Sequence, residues 1–233
     1  MEAHMNITEN VVMLEVVGSF GTIYPTLVWD ESRIVLIDTG FPGQIASLTE
    51  AIAKAGIQAK DITDIILTHQ DMDHIGCVLD MLGLSPSAQI WAHEREAPYL
   101  DGRETPVKLA ALQKNYASLP TDGKAWCDQM QTGYANRRIQ KIQTLADGDI
   151  LPVCGGIEVV YTLGHTPGHI CLFLQKSKVM VCGDAANITD GKLTGANPQH
   201  TYDMELAAQS FAKIVAWDMC GVITYHGGYW ENT

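Results

Sequence analysis

No two of the six cysteines (Cys77, Cys127, Cys154, Cys171, Cys182 and Cys220) stand in a CxxC pair, and together they form no dense framework. That excludes a disulfide scaffold and argues against a structural thiolate zinc site. Several sit in apolar runs such as "HICLFL" and "VMVCGD", where cysteine behaves as a small hydrophobe, so reduced thiols in the cytosol are expected. Basic residues are also scarce: 15 Lys and Arg face 27 Asp and Glu, a net charge of −12. Such a field repels phosphates and anionic headgroups, so neither nucleic acid nor a membrane is an expected partner unless bound metal reverses the charge locally. No apolar stretch approaches the roughly 18–20 residues that span a bilayer. No basic segment leads into an apolar run at the N-terminus, so no signal peptide is expected and the expected location is cytoplasmic. "MEAHM" reads as an expression remnant, residues 1–4, ahead of a start at Met5, which leaves His4 out of the functional count.

What is present is an ordinary globular composition, 46% hydrophobic and 18% charged over 233 residues. The expectation is one domain over 5–233, its two halves sharing a core. Three β-type runs, "NVVMLEVV" (10–17), "GTIYPTLVWD" (21–30) and "RIVLIDTG" (33–40), are separated by turn residues as in an antiparallel meander. Helical spacing follows over 42–57, with Pro42 near its start and Gly56 near its end. A strand is expected over 61–69, a helix over 73–84 and a strand over 88–93. Residues 94–135 are richer in charge and proline, with a helical stretch at 106–119, and read as an insertion or lid. Strand texture resumes from Ile139, then an amphipathic helix over 201–218 and a closing strand over 221–228. Two mixed sheets packed face to face with helices on the outer faces, an αββα sandwich of the α/β (α+β) class, would bury this pattern.

The polar residues are not scattered. Apolar runs end in "DTG" (38–40), "HQDMDH" (69–74), "GHTPGH" (164–169), "GDAAN" (183–187) and "YHGG" (225–228), as if delivered to one rim. Imidazoles with carboxylates make nitrogen–oxygen sites for zinc, manganese or iron. His69 and Asp71, two apart on an extended segment, can point the same way, while Asp73 and His74 follow where the chain enters a helix and can face a second ion. The bland alternative is a helix cap with solvated side chains, Asp73 serving as the cap. Asp38-Thr39-Gly40 matches the aspartic-protease motif, but no second copy exists to supply the paired carboxylate, so it reads as a supporting turn.

Taken in order, these five motifs resemble the metallo-β-lactamase-fold hydrolase superfamily, whose signature is Thr-His-x-His-x-Asp-His; the resemblance runs from about residue 11 to the end. Asp71 departs from it, standing where the family usually has its second histidine, so the chain resembles a subgroup with His-x-Asp-x-Asp-His. The resemblance implies two divalent metal ions, zinc first with manganese or iron as alternatives. One would take His69, Asp71 and His165, the other Asp73, His74 and His226, with Asp184 between them. Asp71 is shorter than histidine, and direct ligation or ligation through a water both stand open. His169 is expected to hydrogen-bond within its loop.

The implied chemistry is hydrolysis of a small ester, lactone or thioester by a hydroxide held between two cations, with Asp73 or Asp184 relaying the proton. Lactonases of the superfamily place tyrosine where Asn187 stands; Asn187 can donate a hydrogen bond to substrate. The competing classes are iron-dependent redox chemistry of the flavodiiron or dioxygenase kind, promiscuous β-lactam or phosphodiester hydrolysis, and metal binding without turnover. A small-molecule substrate is the expected partner. The loops 91–102 and 195–203 are expected to border the cleft, and His93, His200 and Cys77 are assigned no ligand role.

Overall fold

Residues 4–232 are described by a computed structural model of the protein. Residues 1–3, most of the expected remnant, lie outside them; His4 opens the first strand. In chain order the elements are β1 (His4–Thr8), β2 (Val11–Leu14), β3 (Val16–Gly18), β4 (Gly21–Ile23), β5 (Thr26–Trp29), β6 (Ile34–Ile37), α1 (Ile45–Lys54), β7 (Asp64–Leu67), α2 (Met72–Ile75), α3 (Val78–Leu84), β8 (Gln89–His93), α4 (Ala97–Leu100), α5 (Val107–Lys114) and α6 (Thr121–Ala135). The second half contains β9 (Ile142–Leu145), β10 (Ile150–Leu151), β11 (Ile157–Tyr161), β12 (Ile170–Leu174), β13 (Val179–Val181), β14 (Ala186–Thr189), β15 (Lys192–Gly195), α7 (Met204–Val215), β16 (Gly221–Thr224) and β17 (Gly228–Glu231).

Two large mixed sheets result, ordered β1-β2-β5-β6-β7-β8-β9 and β10-β11-β12-β13-β16-β17. Their strands are apolar on both faces, and alternation assigns the two faces to different cores. Val11, Met13, Val28, Val35, Ile37 and Ile66 of the first sheet meet Ile157, Val159, Leu172, Val181 and Ile223 of the second in the layer between them. The intervening residues Val12, Leu27, Leu36 and Ile65 turn outward onto Leu48, Ile52, Val78 and Met81 of the helices. On the far side Val160, Phe173, Met180 and Val222 pack on Ile214 of α7. This is the αββα sandwich, four layers built by period-two alternation of residues that are nearly all apolar.

Several expected elements are subdivided. The run 10–17 breaks at Glu15, and 21–30 breaks at Tyr24-Pro25, where proline has no N–H for a ladder. The helix expected over 73–84 is two short ones, α2 and α3, interrupted at Gly76 and Cys77. A Cβ on Gly76 would lie 2.2 Å from the Pro42 nitrogen, so this interruption lets the chain pass close under another loop. The β14–β15 hairpin and β17 add to the strands expected from the sequence. Among the described residues no helix is long and apolar enough to cross a membrane, and all six cysteines are free thiols, only Cys220 being exposed.

Strand direction positions the polar loops. β6, β7 and β8 run parallel in one sheet; β13 and β16 run parallel in the other, and β11 shares their direction through two antiparallel steps. The C-terminal ends of these strands deliver "DTG", "HQDMDH", "GHTPGH", "GDAAN" and "YHGG".

Candidate metal centre

All seven expected ligand residues meet at one place. Their donor atoms fall into two groups, His69, Asp71, His165 and Asp184 in one and Asp73, His74 and His226 in the other; within each, the atoms lie within 4.8 Å of one another. Asp71 is the N-terminal boundary of α2 but makes no capping bond; its extended backbone sends the carboxylate into the cluster instead. There Asp71 Oδ2 lies 3.1 Å from His69 Nε2 and 2.9 Å from His165 Nε2. His74 and His226 present Nε2 to Asp184 Oδ1, each at 3.3 Å, and His226 Nε2 is 3.2 Å from Asp73 Oδ2. Asp184 turns its other oxygen to His165 Nε2, 3.5 Å away, so one carboxylate faces both groups.

Whether these residues suit a cation is tested by two buried atoms. His74 Nε2 and Asp184 Oδ1 are without a hydrogen-bond partner, although they lie 3.3 Å apart. Buried polar atoms are rarely left so, because the desolvation cost is unreturned. A cation bonded to both would satisfy each, and the donor set of four imidazoles and three carboxylates suits zinc, manganese or iron.

The charges within the cluster are strongly mutual. Burial opposes the Asp71 anion, yet Lys108 and His69 hold it well below the usual carboxylate range. Burial likewise opposes Asp184, but His74 and His165 pull it well down. His69 is brought down to about 4 by burial and then by His74. Burial works against the charge on His226 too, but Asp184 and Asp73 hold it up at about 9. His74 is raised well above 6.5 by Asp38, Asp73 and Asp184 against its own burial.

A framework of supporting bonds fixes these groups. Asp38, at φ 61°, accepts from Thr68 N at 2.9 Å and Thr68 Oγ1 at 2.7 Å, and contacts His74 Nδ1 at 2.8 Å. Aspartate is one of the few residues that adopt this left-handed backbone without a heavy cost. The Asp-Thr-Gly turn therefore orients a histidine, consistent with a supporting place rather than a proteolytic one. The Tyr225 ring stacks on His74 at 3.8 Å, while its hydroxyl donates to Asp73 O at 2.7 Å. His169 does more than brace its own loop: it bonds Thr162 Oγ1 at 2.8 Å and accepts from Asp184 N at 3.2 Å. Burial and the His69 and His165 rings push it well below 6.5, which keeps it neutral.

Two residues of the centre are not singled out by the sequence. Glu96, fully buried, accepts from Gly168 N at 3.1 Å, from Gln70 Nε2 at 2.6 Å and from Thr166 Oγ1, tying together the loops that carry His69 and His165. Burial pushes its carboxyl up to about 8 although those three donors pull it down. Lys108, near the start of α5, donates to Asp71 Oδ2 and lies 3.3 Å from His165 Nε2. Both fall in 94–135, where no motif marks them; an acidic residue just after a strand of the ligand-bearing edge was the available signal for Glu96. His93 stacks on Tyr161 at 4.4 Å, away from the ligands. Cys77 is buried, and His200 lines the cleft without joining the cluster.

Above the cluster lies a cleft of about 1440 Å³. Its lining includes Asp71, Asp73, Asp184 and His226 together with Phe20, Phe41, Met72, Trp126 and Met130. Asn187 and residues 197 and 199–202 border it, as does α5, whereas nothing of 91–102 lines it.

The sequence profile described as the metallo-beta-lactamase superfamily matches residues 18–217. The chain is similar to the probable metallo-hydrolase YflN of Bacillus subtilis, 28% identical over 208 residues, covering 83% of this chain and 75% of that one. It is similar also to the hydroxyacylglutathione hydrolase GloC of Haemophilus influenzae, 24% identical over 208 residues, covering 88% and 85%. Among solved structures, a metallo-beta-lactamase family protein of Thermus thermophilus superposes with a TM-score of 0.75 at 21% identity, covering 97% of this chain and 76% of that one.

Proposed function

We propose, since this chain belongs to the metallo-β-lactamase superfamily, that it is a metal-dependent hydrolase of a small ester, lactone or thioester. The observation that carries this reading is Asp184, whose two oxygens face two ligand groups at the floor of an apolar-walled cleft, beside the unpartnered His74 Nε2. His69, Asp71 and His165 would hold one cation, Asp73, His74 and His226 a second, and Asp184 would reach both. Two divalent ions held there, zinc first and manganese or iron as alternatives, supply Lewis acidity and make water nucleophilic near neutral pH.

The protein's own groups do the rest. Asp73 and Asp184 line the cleft floor and can hold the attacking water by hydrogen bonds, then carry its proton to the leaving group. Asn187 Oδ1 is engaged by Ile188 N at 2.8 Å, which leaves its NH₂ to donate to a substrate oxygen. Phe20, Phe41 and Trp126 offer an apolar wall to the substrate's carbon skeleton, and their bulk limits water around the reacting bond. The relative named hydroxyacylglutathione hydrolase favours a thioester within this class.

A panel of lactones, thioesters and phosphodiesters, assayed with the zinc, manganese and iron forms, tests the reading. Hydrolysis of an acyl substrate that disappears in His74→Ala is expected. Stoichiometric iron with oxygen consumption and no hydrolysis would replace it with the redox alternative.

A further inference from the structure

The two ligand groups are not equivalent. Asp71 Oδ2 takes His69 Nε2 and His165 Nε2 on two sides, and on a third it takes the ammonium of Lys108. Among the described residues no lysine or arginine pairs with Asp73 or Asp184. Lys108 is not a drifting surface residue. Val107 N donates to Gln70 Oε1 at 2.8 Å, so the start of α5 is fastened to the residue between His69 and Asp71. Gln70 is in turn held by buried Glu96, and Leu109, the next residue along the helix, is buried in the core. The lysine reaches the ligands from a fixed anchor.

The departure at residue 71 explains why a lysine can stand there. A histidine at that position would be neutral and would offer an ammonium group no opposite charge. Aspartate adds a negative charge, buried between two imidazoles, and the lysine balances it. A metal ion approaching Asp71 and His165 must displace that ammonium or share the carboxylate with a like charge beside it.

We infer that Lys108 is a built-in cation of the first ligand group, competing with metal for Asp71. The protein then holds one divalent ion tightly, on Asp73, His74, His226 and Asp184, and a second weakly. This rests on the seven residues being metal ligands, as proposed above.

Zinc binding to the full chain tests it, by calorimetry and by metal content after equilibrium dialysis, for the wild type, Lys108→Met and Lys108→Arg. Lys108 is partly exposed, and circular dichroism checks that each variant is folded. The wild type is expected to bind one zinc tightly and a second more weakly. Lys108→Met should tighten the second by about 10- to 100-fold, the range that partners of metal ligands carry. Lys108→Arg, which keeps the charge, should resemble the wild type. Asp71→His, which removes the lysine's counter-charge, should also tighten the second zinc. Two zinc ions of equal affinity in the wild type, or loss of zinc in Lys108→Met, would overturn the inference while leaving the hydrolase reading intact. No zinc bound by any form would overturn both.

Discussion

At the residue scale the centre depends on groups that do not themselves face the cleft. Asp38 accepts at both oxygens, from Thr68 and from the N–H at His74 Nδ1, so Nε2 is the nitrogen that a metal would take once its proton is displaced. Asp38→Asn would set an amide N–H against Nδ1 and move the ring proton to Nε2. The expected result is metal affinity lowered by about 10- to 100-fold with the fold retained, measurable by zinc titration. Glu96 makes a second prediction, with a sign. Its carboxyl sits at about 8 in the fold against 4.5 in the open chain, so the folded state takes up the proton more readily. Its contribution to stability is full below pH 4.5 and is lost as pH rises toward 8. Glu96→Gln has no such titration, so the wild-type Tm minus the variant Tm should shrink between about pH 5 and pH 8 in thermal melts. A gap that widens with pH would contradict this. That these seven residues would cluster was legible because each ends or follows an apolar run. Glu96 and Lys108 were not, because an acid or a lysine in a charged helical segment carries no spacing of its own.

At the level of elements, the close meeting of loops sets the tolerances. Gly183 has φ +48°, and a Cβ there would lie 2.9 Å from both His169 Nε2 and Thr68 Oγ1. Gly148 has φ +82° with nothing within 4 Å of its Cβ position. Gly148→Ala should cost only the backbone part, about 1–2 kcal/mol. Gly183→Ala should cost more in urea unfolding and also weaken metal binding, since it displaces Asp184 beside it. Equal costs would show that the crowding is relieved freely. The layered sheets were legible from uninterrupted apolar strands, yet their ends were not. Tyr24-Pro25 and Gly76 punctuate runs that composition alone reads as continuous. The hairpin β14–β15 had a signal in Asp190-Gly191, both now at positive φ as a tight turn requires, but its strands are partly polar and short.

Over the whole molecule, the proposed ligands come from both sheets: His69, Asp71, Asp73 and His74 follow β7, while His165, Asp184 and His226 follow β11, β13 and β16. Metal bound there cross-links the two halves of the sandwich and exists only in the folded state. Saturation with zinc at about 100 times Kd should add about 2.7 kcal/mol to stability, and chelation should remove it, as a Tm difference in calorimetry shows. The net charge of −12 adds to the attraction for cations, so the gain should diminish at high salt. The overall layering and the shared rim were readable in the sequence. The approach of α5 to Asp71 was not, because it joins residues 37 apart through a packing that only the folded helix establishes.

Diffraction from metal-soaked crystals at the zinc, manganese and iron absorption edges bears most directly on the centre. An anomalous peak about 2.0–2.2 Å from both His74 Nε2 and Asp184 Oδ1 is the predicted result. No peak within bonding distance of those atoms, at any of the three edges, would contradict the account.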